Sequence, residues 1–470
     1  MAKEGAKMSH VPRKRSDLRL LGRLLAATLP LFAATPAPGH AAPPPKKRPT
    51  AAPARKGRET VIIDDAWRFC PDPGGTGETA GWPKSPPSDA KPVAVPSTWP
   101  AGGPAVGWYF RDVEPPASWR GQTVRLCFGA VAERANVWLN GDRVGGHDCG
   151  ATPFDINVTK SIKIGAKNRL AIRVEGIPSG TEGRGRWGGI WQDVALVAHD
   201  EAYISDVFPY GGPLGNLRVD VELLNTSDKS GDASLDARVL PSGQSKPDIK
   251  ATGQILSLTP KRNETTMLVN VARNRLTAWS PESPALYDLE LVFHQDADVL
   301  DKTRTTFGFR ELEWSGGQIQ LNGVPFKADV AGASHAPAPM PATPQELSAA
   351  RDSLRALHGA GTSAIYLDAP HPALLATADE IGLAVIEGPR AGQPAIAATA
   401  ELLALVRRDR SHPCVLAWDI RALGDDAAAG VRKLDRTRFV IRSVGGVLQI
   451  APPHTEELKF AAAPAGLTAH

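Results

Sequence analysis

Asn136-Val-Trp-Leu-Asn-Gly-Asp-Arg-Val144 is the stretch that decides how this chain is read. Val137, Trp138 and Leu139 favour a strand, and Asn140-Gly141 is the dipeptide a tight primed turn demands, because both central residues need positive φ. The stretch therefore predicts a β-hairpin. Outward from it, short period-two runs recur between about Val61 and Ala198, such as Val124-Arg-Leu-Cys-Phe128 and Leu170-Ala-Ile-Arg-Val174. Bounded by Gly, Pro, Asn and Asp, they read as strands of a sandwich or barrel. Eight of the eleven tryptophans fall in this segment, at 67, 82, 99, 108, 119, 138, 187 and 191. Trp67, Trp99 and Trp138 are read as core. Arg186, Trp187 and Trp191 stand in a Gly-rich loop, where side chains can be presented to a sugar, against a reading of all three as structural packing.

The β pattern continues from about Tyr203 to Phe309, with Leu217-Arg-Val-Asp-Val-Glu-Leu223 and Tyr287-Asp-Leu-Glu-Leu-Val-Phe293 among seven or so short strands. That count suits an immunoglobulin-like sandwich. Beyond Gly316 the period changes. Thr343-Pro-Gln-Glu346 is a capping box with proline at the first helical position, and Leu347, Ala350, Leu354 and Leu357 then mark one helical face. Apolar runs at 364–367, 383–386, 415–418 and 439–441 alternate with helical stretches near 373–381, 396–408 and 426–434, which predicts a parallel sheet with helices outside it. A complete eight-fold barrel takes about 250 residues, and 152 remain from Ile319 onward. The expected domains are thus 60–200, 201–310 and 311–470, the last an open, helix-covered sheet or one closed by dimerisation.

Charge locates the rest. The net charge of +4 comes from residues 1–60, with 13 Lys/Arg against 3 Asp/Glu, which leaves 41 against 47 beyond them. A nucleic-acid surface would carry its basic excess on the folded domains, so nucleic acid is not an expected partner. Arg13-Lys-Arg15 precedes an apolar run from Leu24 to about Ala37 and small residues near Ala41, the pattern of a signal peptide over 1–41 and hence of export. Residues 42–59, rich in Pro, Ala, Lys and Arg, read as a linker. No later segment is long enough to span a membrane. Export permits disulfides among Cys70, Cys127, Cys149 and Cys414, and buried free thiols fit equally well. Gly183-Arg-Gly-Arg-Trp-Gly188 has dinucleotide-fingerprint spacing but lies in an all-β segment, so no cofactor is expected, and the scattered histidines give no metal spacing.

A β-sandwich, an immunoglobulin-like sandwich and a β/α segment, in that order, resemble glycoside hydrolase family 2, the β-galactosidases, β-glucuronidases and β-mannosidases. The resemblance is carried by Ile63-Asp-Asp-Ala-Trp-Arg-Phe69, Val95-Pro-Ser-Thr-Trp99, Gly107-Trp-Tyr-Phe-Arg111, Asn136-Val-Trp-Leu-Asn-Gly141 and Gly188-Gly-Ile-Trp-Gln-Asp-Val194. Trp279-Ser-Pro-Glu-Ser-Pro-Ala-Leu-Tyr287, Phe307-Gly-Phe-Arg310, Leu321-Asn-Gly-Val-Pro-Phe326, Asp379-Glu-Ile-Gly-Leu383 and Arg408-Asp-Arg-Ser-His-Pro413 extend it. It implies a galactose-binding-like jelly roll, an immunoglobulin-like domain, a partial TIM-like (β/α) barrel and β-glycoside chemistry.

That chemistry needs two carboxyl groups about 5 to 5.5 Å apart. The family's acid/base stretch, Trp-Ser-Leu-Gly-Asn-Glu, is matched by Trp418-Asp-Ile-Arg-Ala-Leu423, so Leu423 stands where the glutamate would be. Asp425 and Asp426 follow closely and are the only candidates for a displaced acid, against a reading as helix-start carboxylates. The resemblance places the nucleophile on a later barrel strand than this length reaches, and Glu456 and Glu457 read as an exposed tail. The family's Arg-x-Ser-His-Tyr-Pro becomes Tyr366-Leu-Asp-Ala-Pro370, and its next acidic position falls at Gly388. A non-catalytic, carbohydrate-binding or scaffolding relative is expected, the alternative being a glycosidase that recruits Asp425 or Asp426 or is completed by a partner chain.

Overall fold

The computed structural model describes residues 57–99, 103–176, 188–243, 249–328, 330–331, 343–421, 423–444, 447–454 and 461–462. In the first domain, alternation of apolar residues along strands such as Thr123–Phe128 and Asn168–Glu175 gives two antiparallel sheets. One has four strands and the other six, and their inner faces share a core that includes Leu126, Phe128, Tyr109, Val137 and Ile172. The opening hairpin forms as its turn chemistry requires: Asn140 and Gly141 have φ of 55° and 91°, with Leu139 paired to Asp142. The core reading of three tryptophans also holds, with Trp67, Trp99 and Trp138 all buried. Trp138 packs with Trp108 and Phe110 on the outer face of the six-stranded sheet, where the Trp108 indole donates to Asp72 Oδ2 at 2.9 Å.

The second domain is a sandwich of three plus four antiparallel strands around one core containing Leu235, Leu289 and Phe293. Its motifs are docking devices. Trp279 is fully buried and donates its indole N–H to the Asp379 carbonyl at 2.9 Å, 100 residues away. Arg310 donates Nη2 to the Val415 carbonyl at 2.8 Å, and Gly308 lies where a Cβ would meet Pro413 and Trp279 at 2.9 Å.

The β/α region begins with α1 (Pro344–Gly359), whose cap Thr343 accepts from the Glu346 amide at 3.1 Å. It continues through α2 (Pro372–Ile381), α3 (Ala395–Asp409) and α4 (Asp425–Leu434). Strands Val330–Ala331, Ala364–Asp368, Ala384–Gly388, Val415–Arg421 and Phe439–Val444 pair in parallel, in sequence order. The sheet departs from the all-parallel expectation at its last two strands, Val447–Ala451 and Ala461–Ala462, which pair antiparallel. An antiparallel neighbour needs no helical crossover and hydrogen-bonds the edge that Phe439–Val444 would otherwise leave open.

Gly382 ends α2 with φ of 80°, and a Cβ there would lie 2.3 Å from the Pro281 carbonyl oxygen of the second domain. Gly382→Ala should therefore cost more than the roughly 1–2 kcal/mol of left-handed strain alone, read as a lowered midpoint in urea unfolding. A change within about 0.5 kcal/mol of wild type, the range of a neutral surface substitution, would show that this junction yields.

Candidate functional site

In parallel β/α sheets, ligands and catalytic groups gather at the carboxyl ends of the strands. Strand alternation sorts those ends into two faces. On the face turned away from α3, Tyr366, Gly388 and Asp419 meet, since a Cβ on Gly388 would lie 2.9 Å from the Tyr366 hydroxyl and 3.5 Å from Asp419 Cβ. On the other face Glu387 and Trp418 point into the helix layer. Glu387 is fully buried near Arg408 and Asp409 at the end of α3, with Arg408 Nη2 4.0 Å from its carboxylate. The Trp418 indole donates to Asp435 Oδ2 at 2.8 Å, just beyond α4.

This parity settles what Glu387 can do. Burial, then the neighbouring Asp409 carboxylate, holds its carboxyl well above the usual range, a property general acids share. It lies on the wrong side of the sheet for that use. A shift of one residue along a strand exchanges the faces, so Glu387 cannot stand in for an acid at 388. The place such a side chain would take at 388 is crowded by the Tyr366 hydroxyl, so the two departures from the family pattern, at 366 and at 388, fit one another. Asp368 and Asp419 are also engaged in interactions within the chain. Sequence reading missed Asp419, which sits within the aligned acid/base stretch and is 8% exposed.

Leu423 closes a turn after the Val415–Arg421 strand, its amide donating to the Ile420 carbonyl at 2.9 Å, and its side chain packs against the main β/α core. A half-buried aliphatic group there supplies no proton. Asp425 and Asp426 are exposed in the first turn of α4, where negative charge complements the helix dipole. Asp425 Oδ1 accepts from Arg442 Nη1 at 2.7 Å, with the carboxylate side chain 85% exposed. The geometry thus fits the helix-start reading of both aspartates.

Of the predicted sugar contacts, Arg186 and Trp187 lie outside the described residues, as do Glu456 and Glu457. Trp191 is 2% exposed and donates its indole N–H to the Gly150 carbonyl at 2.8 Å. It packs with Ala130, Ala132, Ala151, Ala369 and Leu405 where the first sandwich meets the β/α layer, which leaves its ring no open face for a sugar.

The same junction holds charges that local sequence did not reveal. Arg390 is 2% exposed, donates Nε to Glu401 Oε2 at 2.8 Å and Nη1 to Glu133 Oε2 at 2.7 Å, and Glu401 is fully buried. Cys149 Sγ donates to Glu401 Oε2 at 3.4 Å, and burial together with that carboxylate pushes the thiol up to about 11. Arg408 donates to the Ala151 carbonyl at 2.9 Å. All four cysteines are free thiols. Among the described residues no His/Cys/Asp/Glu group could hold a metal ion, and no helix is long and apolar enough to cross a membrane.

Two β-sandwiches followed by a β/α sheet define a three-part multidomain architecture. Family models match as the sugar binding domain of glycosyl hydrolases family 2 over residues 100–200 and as glycosyl hydrolases family 2 over 202–310. The chain belongs to glycoside hydrolase family 2. It is 27% identical to a β-galactosidase of Thermoanaerobacter pseudethanolicus over 67% of this chain and 44% of that protein. It is 24% identical to a β-glucuronidase of Paenibacillus borealis over 57% of this chain and 48% of that protein. A family 2 member from Bacteroides cellulosilyticus shares the fold with a TM-score of 0.70 and 22% identity, covering 82% of this chain and 57% of that one. The chain thus spans about half the length of the relatives it matches.

Proposed function

We propose that the chain is an exported, non-catalytic member of glycoside hydrolase family 2 with a carbohydrate-binding or scaffolding role, its β/α sheet corresponding to the first five strands of the family's barrel. The observation that carries this reading is Leu423, packed on the core at the position of the acid/base glutamate. The position is internal to the β/α region, between the Val415–Arg421 strand and α4. Parity adds to this reading: Glu387, a buried carboxyl of the β/α region with a raised affinity for its proton, faces the helices.

A second reading has one supporting observation. A relative 27% identical over 44% of this chain and 33% of its own length is the large subunit of a β-galactosidase from Leuconostoc lactis, which favours a reading in which a partner chain supplies the remaining barrel. Such a partner would have to bring both carboxyl groups, because Leu423 lies within this chain. Asp425, paired to Arg442 on an exposed helix start, is poorly placed to help.

A glycan array probed with the purified chain tests the binding role. Retention on at least one β-linked glycan, with the glycan recovered intact, is expected. No retention on any glycan removes binding and leaves scaffolding.

A further inference from the structure

Ala251-Thr-Gly-Gln-Ile-Leu-Ser-Leu258 makes up most of the strand Lys250–Leu258 in the second sandwich. That strand pairs antiparallel with Gly231–Pro241 on one side and, among the described residues, with no strand on the other. Alternate residues of such an edge direct their N–H and C=O groups outward, where another extended strand can pair with them. Folded chains usually blunt an edge of this kind with charge or proline. The other long edge strands of this sandwich follow the rule: Ala202–Gly211 carries Asp206 and Pro209, Lys261–Asn270 carries Arg262 and Glu264, and Asp298–Phe307 carries Lys302 and Arg304. From Ala251 to Leu258 there is no charge and no proline, and Ile255 in that span is 81% exposed.

Strand parity explains why Ile255 is left in water. Leu256 and Leu258 serve the sandwich core, so Ile255 is on the outer face, where its neighbour on the paired strand is Ser234. The strand itself supplies a complementary partner. Antiparallel pairing about a two-fold axis through Ile255 sets Ile255 against its own counterpart, Gly253 against Ser257 and Thr252 against Leu258. The two isoleucines then cover each other, and the small residues Gly253 and Ser257 on either side leave them room. Lys250 and Lys261 lie beyond both ends of the paired span.

The pairing also has a reason to stop at two copies. Lys250–Leu258 is one edge of a four-stranded sheet whose other edge is Asp298–Phe307, so the joined sheet would end on that strand at both sides. Its exposed Lys302 and Arg304 oppose further strand addition. We propose that the edge Lys250–Leu258 is a homodimer interface, at which two copies join their four-stranded sheets into one continuous sheet. The interface leaves the β/α layer untouched, and it does not rest on the carbohydrate role. A ladder of one strand's length is a small contact, so dissociation in the micromolar range is expected.

Sedimentation velocity of the full chain at rising micromolar concentrations tests the assignment. A reversible monomer–dimer equilibrium is expected, weakened tenfold or more by Ile255→Lys and by Ser257→Lys. Both positions are exposed, so the variants keep the fold. Leu268→Lys, at an exposed leucine on the other sheet, should leave the equilibrium unchanged. Register is read by crosslinking: under mild oxidation Ile255→Cys should form a covalent dimer, whereas Ala251→Cys and the wild-type chain should not. A monomer throughout the range, or a dimer unmoved by both edge variants, overturns the interface. Growth beyond two copies overturns the closure at Asp298–Phe307, and crosslinking of Ala251→Cys as fast as Ile255→Cys overturns the two-fold register.

Discussion

Glu401→Ala is expected to destabilise the chain by about 3–5 kcal/mol, the cost of leaving a buried guanidinium without its counter-charge. Arg390 is 2% exposed and Glu401 fully buried, so water cannot replace the lost carboxylate. Among the described residues the half-exposed Glu133 is the only other carboxylate bonded to Arg390, and it reaches a different nitrogen. Gln393 Nε2, the Arg390 amide and the Cys149 thiol also lose their acceptor. Replacing both partners by apolar groups, as in Glu401→Leu with Arg390→Met, should recover most of the loss, since a buried pair returns little over well-packed hydrocarbon. Urea unfolding followed by tryptophan fluorescence reads both variants. A loss under about 1 kcal/mol for Glu401→Ala, the size of an exposed pair, would mean that the junction is open to water.

The second large effect belongs to Asp435. Its Oδ1 accepts from the Thr437 amide and hydroxyl at 2.8 Å, and its Oδ2 from the Trp418 indole and from Arg438 Nη1, also at 2.8 Å. Burial alone would raise its affinity for a proton, but Arg438, the Thr437 amide and the Trp418 indole outweigh it and hold the carboxyl below its usual 3.8. A carboxyl depressed in the folded state contributes stability that is full above its unfolded value and is lost as pH falls through the folded one. Asp435→Asn should thus cost about 3 kcal/mol or more at pH 7 by leaving Arg438 unpaired. The gap from wild type should hold from neutral pH down to about 5, then shrink below 3.8. Urea midpoints measured across that range check it, and a gap that stayed constant down to pH 2 would show that Asp435 does not carry the charge assigned to it.

Much of this architecture is legible in the sequence. Positive φ at Asn140-Gly141 and the cap at Thr343-Pro344 are local demands, met by the residue types themselves, and the helices lie within a residue or two of the expected spans. Leu423 was legible for the same reason. Parity was not: whether Glu387 or Gly388 faces the helices depends on strand pairing, which no single run of residues encodes. Nor was the Arg390 junction, whose partner Glu133 is 257 residues away, and whose charges read singly as surface residues. Trp191 stands in a motif that resembles a sugar-contact loop, yet it is the packing of the third domain on the first that hides it. The antiparallel edge at Val447–Ala451 carries the same apolar pattern a parallel strand would, and only its pairing tells them apart.

The proposed absence of glycoside hydrolysis by this chain's own residues rests on Leu423, packed against the β/α core where the family resemblance expects the acid/base glutamate. Hydrolysis of aryl β-galactoside, β-glucuronide, β-mannoside and β-glucoside by the purified chain tests it most directly, with the Asp425→Asn/Asp426→Asn double variant alongside. Release of the aryl alcohol at the uncatalysed rate is expected for both proteins. Turnover that survives rigorous purification and disappears in the double variant would contradict it, and would place the acid at the start of α4.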